Sequence, residues 1–366
     1  MIRAIRKTVL ACVCLCAAAA IGQAQTITTF NAPGAGTAIN QGTFAFSINN
    51  SSTVAGYYID SSSVSHGFVR SSAGAITSFD APNGGTFADQ GTTARVINTG
   101  GTITGWVIDS SGVHHGFVRT PAGSITDFDA PGAGTLINQG TEPYGMNSSG
   151  VITGFFYDSA SVRHGFVRAT NGTITQIDVA GGGTGKEQGT SCIWINTAGT
   201  IAGYIVDSSY VVHSFVRTSS GAVTIYDAPG AGTGIFQGTI GGAINTAGTI
   251  LGAYIDSSSV YHGYLRSASG TLTEFNAPGG GTGVQQGTQP SGLNTGGIAI
   301  GTVIDGAGVN HGFGRTTTGQ ILEFNVPGAG TGKGQGTSGL ALNDTVVVTG
   351  YFADSGTVYH GYVLVR

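Results

Sequence analysis

Charge, cysteine and helix-forming stretches are what this 366-residue chain has least of. Only 9% of its residues are Asp, Glu, Lys or Arg. The basic ones do not cluster, so the electrostatic footprint that grips a nucleic-acid backbone is missing and nucleic acid is not an expected partner. Of four cysteines, Cys12, Cys14 and Cys16 fall near the N-terminus, which leaves Cys192 alone and no disulfide framework. Beyond the N-terminal segment no run of ten or more residues shows the 3.6-residue apolar period. The 65 glycines weigh against helix as well, each costing about 1 kcal/mol in a helix interior. There is no Ser/His/Asp triad, zinc-ligand spacing, phosphate loop or dinucleotide fingerprint, so no catalytic residue, cofactor or metal is assigned.

The one strongly apolar stretch is N-terminal. Arg3, Arg6 and Lys7 precede an apolar run over residues 8–21, and Gly22, Gln23 and Ala24 supply small residues suited to signal peptidase. Residues 1–24 therefore read as a secretory signal peptide, too short in its apolar part to span a bilayer. A lipoprotein cleavage before Cys12 is disfavoured, because it would leave four apolar residues after Lys7. The expectation is an exported monomer beginning at Gln25, periplasmic or extracellular, with no membrane span. Fourteen basic residues less those three leave 11 against 18 acidic ones, a balance of -7.

What is abundant is repetition. His66, His115, His164, His213, His262, His311 and His360 fall 49 residues apart without an insertion or deletion. A fixed period of about 40 to 50 residues is the size of one four-stranded propeller blade. Each copy holds four short runs of β-branched and aromatic residues, in the first copy at 42–49, 53–60, 64–70 and 75–80. Asn-Thr-Ala-Gly, Asp-Ser-Ser, Ala-Gly and Ala-Pro-Gly-Ala-Gly-Thr segments separate them, as at 196–199, 109–111, 122–123 and 130–135. The segment 26–31 matches the fourth strand of the other copies, whereas the last copy stops after its third. Pairing these ends completes both. The expected fold is thus all-β: a single seven-bladed β-propeller over residues 25–366, four antiparallel strands per blade, closed by its N-terminal strand against the C-terminal three.

Seven positions hold one residue in every copy: Gln41, Gly42, Thr43, Asn49, Gly56, Asp60, His66 and their equivalents. Asp60 with His66 invites a metal or acid/base reading. The same pair recurs as Asp109 and His115, Asp158 and His164, Asp207 and His213, Asp256 and His262, Asp305 and His311, and Asp354 and His360. A site needs one constellation, while a residue in every blade answers a need of every blade. The expectation is structural: Asp60 caps the following turn, and His66 hydrogen-bonds Asp80 or, in later copies, Asn276, Asn325 and Asn31. Arg70 and its equivalents are expected to stack or ion-pair between or within blades, Phe68 and its equivalents to form the core between blades, and Cys192 to pack without reacting.

Variation concentrates where the fourth strand leads into the next blade, at positions 38–40 and at the start of the first strand. Loops on a rigid scaffold are where binding residues tend to sit. Phe46, Arg95, Glu142, Tyr144 and Trp194 form the candidate ligand face, mixing aromatic platforms with polar groups as a glycan or protein ligand would need, although drift among copies would produce similar variety.

Three segments together, His-Gly-Phe-Val-Arg (66–70), Asn-Thr-Ala-Gly-Thr-Ile-Ala-Gly (196–203) and Ala-Ile-Asn (243–245), resemble the HAF-repeat family of bacterial extracellular proteins. The family is named for a His-Ala-Phe tripeptide, and here Gly or, at Ser214, Ser replaces the Ala. The resemblance covers residues 25–366 and implies an exported propeller-like protein but no reaction. The functional expectation is a non-enzymatic binding or scaffolding module. The alternative is a carbohydrate-active lyase or hydrolase around Glu142, Arg95 and Tyr144, with Glu187 and Asp89 as further carboxylates. Calcium at the Asp-bearing hairpins is a third reading, weakened because each hairpin supplies one carboxylate.

Overall fold

Every copy alternates β-forming runs with turns that glycine, asparagine and aspartate adopt at low cost, and each run becomes a strand. The computed structural model describes residues 25–365, so the expected signal peptide lies outside the described residues. Its strands are numbered β1 to β28 in chain order. In the first repeat β2 (Gly42–Ile48), β3 (Val54–Ile59), β4 (Ser65–Arg70) and β5 (Ile76–Phe79) pair consecutively and antiparallel. The pattern recurs through the repeats. In the last, β26 (Gly336–Leu342), β27 (Val348–Ala353) and β28 (Tyr359–Val365) are completed by β1 (Thr26–Phe30), with Thr26 opposite Val365 and Phe30 opposite Gly361.

Single-residue parallel bridges link consecutive repeats, as between Ser65 and Gly91 and, across the closure, between Tyr359 and Gly42. Gly42 is required there. Its φ is 120°, and an added Cβ would run into the Tyr359 carbonyl oxygen. The fold is all-β, closed and propeller-like, with no helix among the described residues.

Closure has a second, polar signature. The side-chain Nδ2 of Asn49 donates to the carbonyl of Asn98, and the same bond runs from Asn98 to Asn147, then to Asn196, Asn245, Asn294 and Asn343. Asn343 then donates to the Asn49 carbonyl at 3.1 Å. Each Asn Oδ1 meanwhile accepts an amide from its own hairpin, as from Thr53 to Asn49. One buried side chain per repeat thus satisfies its own turn and the next repeat's carbonyl.

Between repeats the core is aromatic. Phe68, Phe117, Phe166, Phe215, Tyr264, Phe313 and Tyr362 are fully buried. Phe30 meets Phe68 edge-on at 5.9 Å, and the Arg70 guanidinium lies 4.9 Å from the same Phe30 ring. Five of the six repeated arginines are stacking groups, as at Arg119 on Phe79 and Arg168 on Phe128. Gln41 ties one end together: its Oε1 accepts the Ala38 amide while its Nε2 donates to the Ser61 carbonyl, joining the inter-repeat connection to the β3–β4 hairpin.

Candidate functional site

The recurring Asp–His pairs are built into the hairpins. Asp60 Oδ1 accepts the amides of Ser62 and Val64 at 2.8 and 2.9 Å. His66 Nδ1 lies 2.9 Å from Asp80 Oδ1, and its Nε2 is 3.5 Å from Asp60 Oδ2. Asn276, Asn325 and Asn31 take the Asp80 role beside His262, His311 and His360 at 2.8–2.9 Å. Burial alone would raise the Asp60 carboxyl, but the two amides and His66 outweigh it and hold it below the ordinary value. Asp109, Asp256, Asp305 and Asp354 are lowered in the same way. At His115 burial would lower the imidazole, while Asp129 and Asp109 outweigh it and raise it.

Cys192 is fully buried, and burial pushes its thiol up to about 12. Its Sγ would be only 2.6 Å from a Cβ added at Gly165 of the preceding repeat, so it fills the contact between repeats.

The first strand of each repeat carries a bulge, and the residue it leaves unpaired is where the copies differ. In β2 the ladder skips Phe46, and the matching gaps fall at Arg95 and Tyr144. A bulge re-aims a side chain and frees it from the ladder. These three meet: the Arg95 guanidinium carbon lies 4.5 Å from the Phe46 ring centre and 5.1 Å from that of Tyr144. The stack continues, with Tyr57 on Phe46 at 5.5 Å, and with Trp106 and Phe155 on Tyr144 at 5.5 and 5.1 Å.

Glu142 adjoins this stack but has its own partner. His114 Nδ1 is 2.9 Å from Glu142 Oε1, both largely buried. They line a cavity of about 370 Å³ with Ile137, Asn138, Tyr157, Ser161, Lys186 and Glu187, a volume within the range of small-ligand sites. Arg163 borders it, donating from Nε to the Tyr157 hydroxyl at 3.0 Å. Burial would lower the Arg163 guanidinium, but the phenols of Tyr204 and Tyr157 outweigh it and raise it.

Trp194 is not brought to this group. It follows the bulge, pairs with Ala202 and packs against Ile244 and Ala243 of the next repeat. It also lines the cavity of about 220 Å³ beside the asparagine ring. That second cavity has a polar rim of Thr and Asn over Ile48, Ile97 and Met146.

Sequence reasoning passed over His114, Tyr157, Arg163 and Lys186. One signal was there: seven of eight histidines keep the 49-residue step, and His114 alone departs from it. The connections at positions 38–40 also expose apolar side chains, among them Ile39, Phe87, Ile137, Ile235 and Val284, each about two-thirds or more exposed. Their tips are held in place. The amides of Asn40, Asp89 and Asn138 bond to the preceding repeat's hairpin carbonyls at Thr357, Ser63 and Gly112.

No protein-family model matches the chain, and no curated protein does. Solved structures do. The BP39L lectin from Burkholderia pseudomallei is similar with a TM-score of 0.53 at 10% identity, over 88% of this chain and 97% of the lectin. A prolyl endopeptidase is similar with a TM-score of 0.53 at 9% identity, over 88% of this chain and 50% of its own. A puromycin-hydrolyzing peptidase from Mycobacterium tuberculosis follows with a TM-score of 0.51 at 10% identity, over 85% of this chain and 51% of its own. The chain spans about half the length of the two peptidases. At such identities the likeness is one of fold alone.

Proposed function

We propose that this chain is a seven-bladed β-propeller of the HAF-repeat type, exported from the cell, that serves as a non-enzymatic module binding glycan at one mouth of the ring. The observation that carries the reading is the cavity of about 370 Å³ lined by His114, Glu142, Tyr157 and Lys186, whose Tyr157 ring meets Phe155 and through it the Tyr144 stack. The Tyr157 ring in the lining suits the C–H face of a sugar, and the polar groups of the cavity suit its hydroxyls. The cavity is made where the repeats differ, while the positions they share are taken up by turns and closure. The fold likeness to a lectin is compatible with this reading.

The test is a glycan array probed with residues 25–366, with and without calcium, and with Tyr157→Phe and Glu142→Gln variants. Selective binding weakened by either substitution supports the module. Binding unaffected by both would move the site elsewhere. Two further readings each have an observation behind them. The exposed Ile39, Phe87 and Ile137 at the same end favour a protein ligand. Glu142 and Glu187 in one cavity favour the lyase or hydrolase, which polysaccharide turnover abolished by Glu142→Gln would establish.

A further inference from the structure

The fourteen basic residues have unequal roles. Arg70, Arg119, Arg168, Arg217, Arg266 and Arg315 recur at one repeat position, and in five of them the guanidinium lies over an aromatic ring of the preceding repeat. Arg95 belongs to no such series. The equivalent bulge positions hold Phe46, Tyr144, Ile193, Gly242, Ser291 and Leu340.

Its surroundings are those of a clamped but unanswered charge. Phe46 of the preceding repeat and Tyr144 of the following one hold the guanidinium between them. Every ion pair among the described residues joins a histidine to a carboxylate, and none involves Arg95. The nearby carboxylate, Glu142, is engaged by His114. Arg95 is only half-buried, so its donors are open to solvent. The Tyr57 and Tyr144 phenols feel its charge, and burial keeps both neutral and able to donate.

The repeats across the ring carry small residues at the matching positions. In a ring of seven, the point opposite repeat 2 falls between repeats 5 and 6. There the bulge positions are Gly242 and Ser291, and the second-strand positions that elsewhere hold Tyr57, Trp106 and Phe155 hold Ala253 and Thr302. Bulk lines one side of the axis and small residues the other.

We infer that Arg95 is an anion-recognition residue, and that the glycan taken at this mouth carries an oxyanion, a carboxylate or a sulfate, which the guanidinium receives. Rings at its two sides leave the N–H edge as the free approach, the geometry that meets an oxyanion with paired hydrogen bonds. Restricting the side chain beforehand lowers the ordering cost of binding. The glycan part of this inference rests on the proposed function; the anion part does not.

Two measurements separate them. The first uses iodide, an anionic quencher, against neutral acrylamide on tryptophan fluorescence. Trp106 stacks on Tyr144 beside Arg95, whereas Trp194 sits by the asparagine ring and gives a constant background. Iodide quenching is expected to fall about twofold or more in Arg95→Gln and to be retained in Arg95→Lys, with acrylamide quenching unchanged in both. Equal iodide quenching in wild type and Arg95→Gln overturns the anion site.

The second is calorimetry with oligogalacturonate, its fully methyl-esterified form, and a sulfated and an unsulfated galactan. Acidic forms are expected to bind at least tenfold more tightly than neutral counterparts, with the preference lost in Arg95→Gln. The acid that binds identifies the oxyanion. Neutral forms binding equally well would overturn the inference and leave the glycan reading standing. No binding of any saccharide, with the iodide effect intact, would sink the glycan reading and leave Arg95 as an anion site.

Discussion

Replacing Asn147 with alanine tests whether the asparagine ring carries the closure. Asn147 is buried, and three hydrogen bonds go with its side chain. Its Nδ2 donates to the Asn196 carbonyl at 3.3 Å, and its Oδ1 accepts the Ser149 and Val151 amides at 3.1 and 3.0 Å. At roughly 0.5–1.5 kcal/mol net per bond, and with the Asn196 carbonyl left buried without this donor, the loss should be about 2–4 kcal/mol. At about 2.1 cal/mol/K per residue, the roughly 340 described residues give a Tm shift of about 1.4 °C per kcal/mol, so a fall of about 3–6 °C is expected by circular dichroism.

Asn147→Asp isolates the bond between repeats. It keeps the acceptor for both hairpin amides but sets an oxygen against the Asn196 carbonyl, and should lower Tm above the carboxyl's pKa. The neighbouring Ser148→Ala loses only an exposed 3.3 Å contact to Thr197 and should change Tm by less than about 1 °C. If Asn147→Ala melted with wild type, the ring would be a consequence of closure and not a contributor to it.

His164→Ala removes the 2.9 Å contact to Asp178 and the stacking on Phe156 at 5.1 Å, and should cost about 1–3 kcal/mol in a denaturant titration. For pH, Asp60, Asp109, Asp256, Asp305 and Asp354 are lowered in the folded chain, so their stabilisation is present above the ordinary carboxyl value and lost as pH falls through the folded one. His115 is raised, so its contribution is full below the ordinary imidazole value and lost as pH rises through the folded one. Melting temperature should therefore peak between about pH 4 and 6.5, and a peak above pH 8 would contradict these assignments. Cys192 should resist a thiol reagent at neutral pH until the chain is unfolded, and rapid labelling of the native protein would show an opening between repeats. Gly116→Ala places a Cβ 2.6 Å from the Phe128 ring and should cost about 1–3 kcal/mol by overpacking, measured as a Tm drop.

Much of the fold was legible because each local signal was written seven times. The first-copy strands expected at 42–49, 53–60, 64–70 and 75–80 form within a residue or so at each end, and the 26–31 segment does lie against the last strand. Asp60 and His66 were readable because their partners lie within about a dozen residues along the chain. Asn49 was not, although equally invariant, because its partner is one whole repeat away and a sequence shows no contact at that separation. The bulge hid the site in another way. A period-2 strand reading assigns Phe46 and Ser47 to faces by alternation, and one unpaired residue resets that alternation. Arg95 and Trp194, grouped together from the sequence, part company because Arg95 is the skipped residue of its strand while Trp194 sits one position later, as Val96 does, and rejoins the ladder opposite Ala202.

The bulge also explains how a ring so regular can hold something singular. A residue in the ladder must suit its cross-strand partner and the repeat behind it, as Cys192 and Gly42 do. The skipped position donates nothing to the strand pairing, so Phe46, Arg95, Gly242 and Ser291 can occupy equivalent places while the spacing stays at 49 residues. Scaffold and site are thereby decoupled at one backbone feature. Arg95→Ser, the residue repeat 6 already carries there, should then leave Tm within about 2 °C of wild type, the loss being confined to its contacts with Phe46 and Tyr144. A large drop would mean that the clamped guanidinium holds the first three repeats together, and Arg95 would have to be regarded as part of the frame.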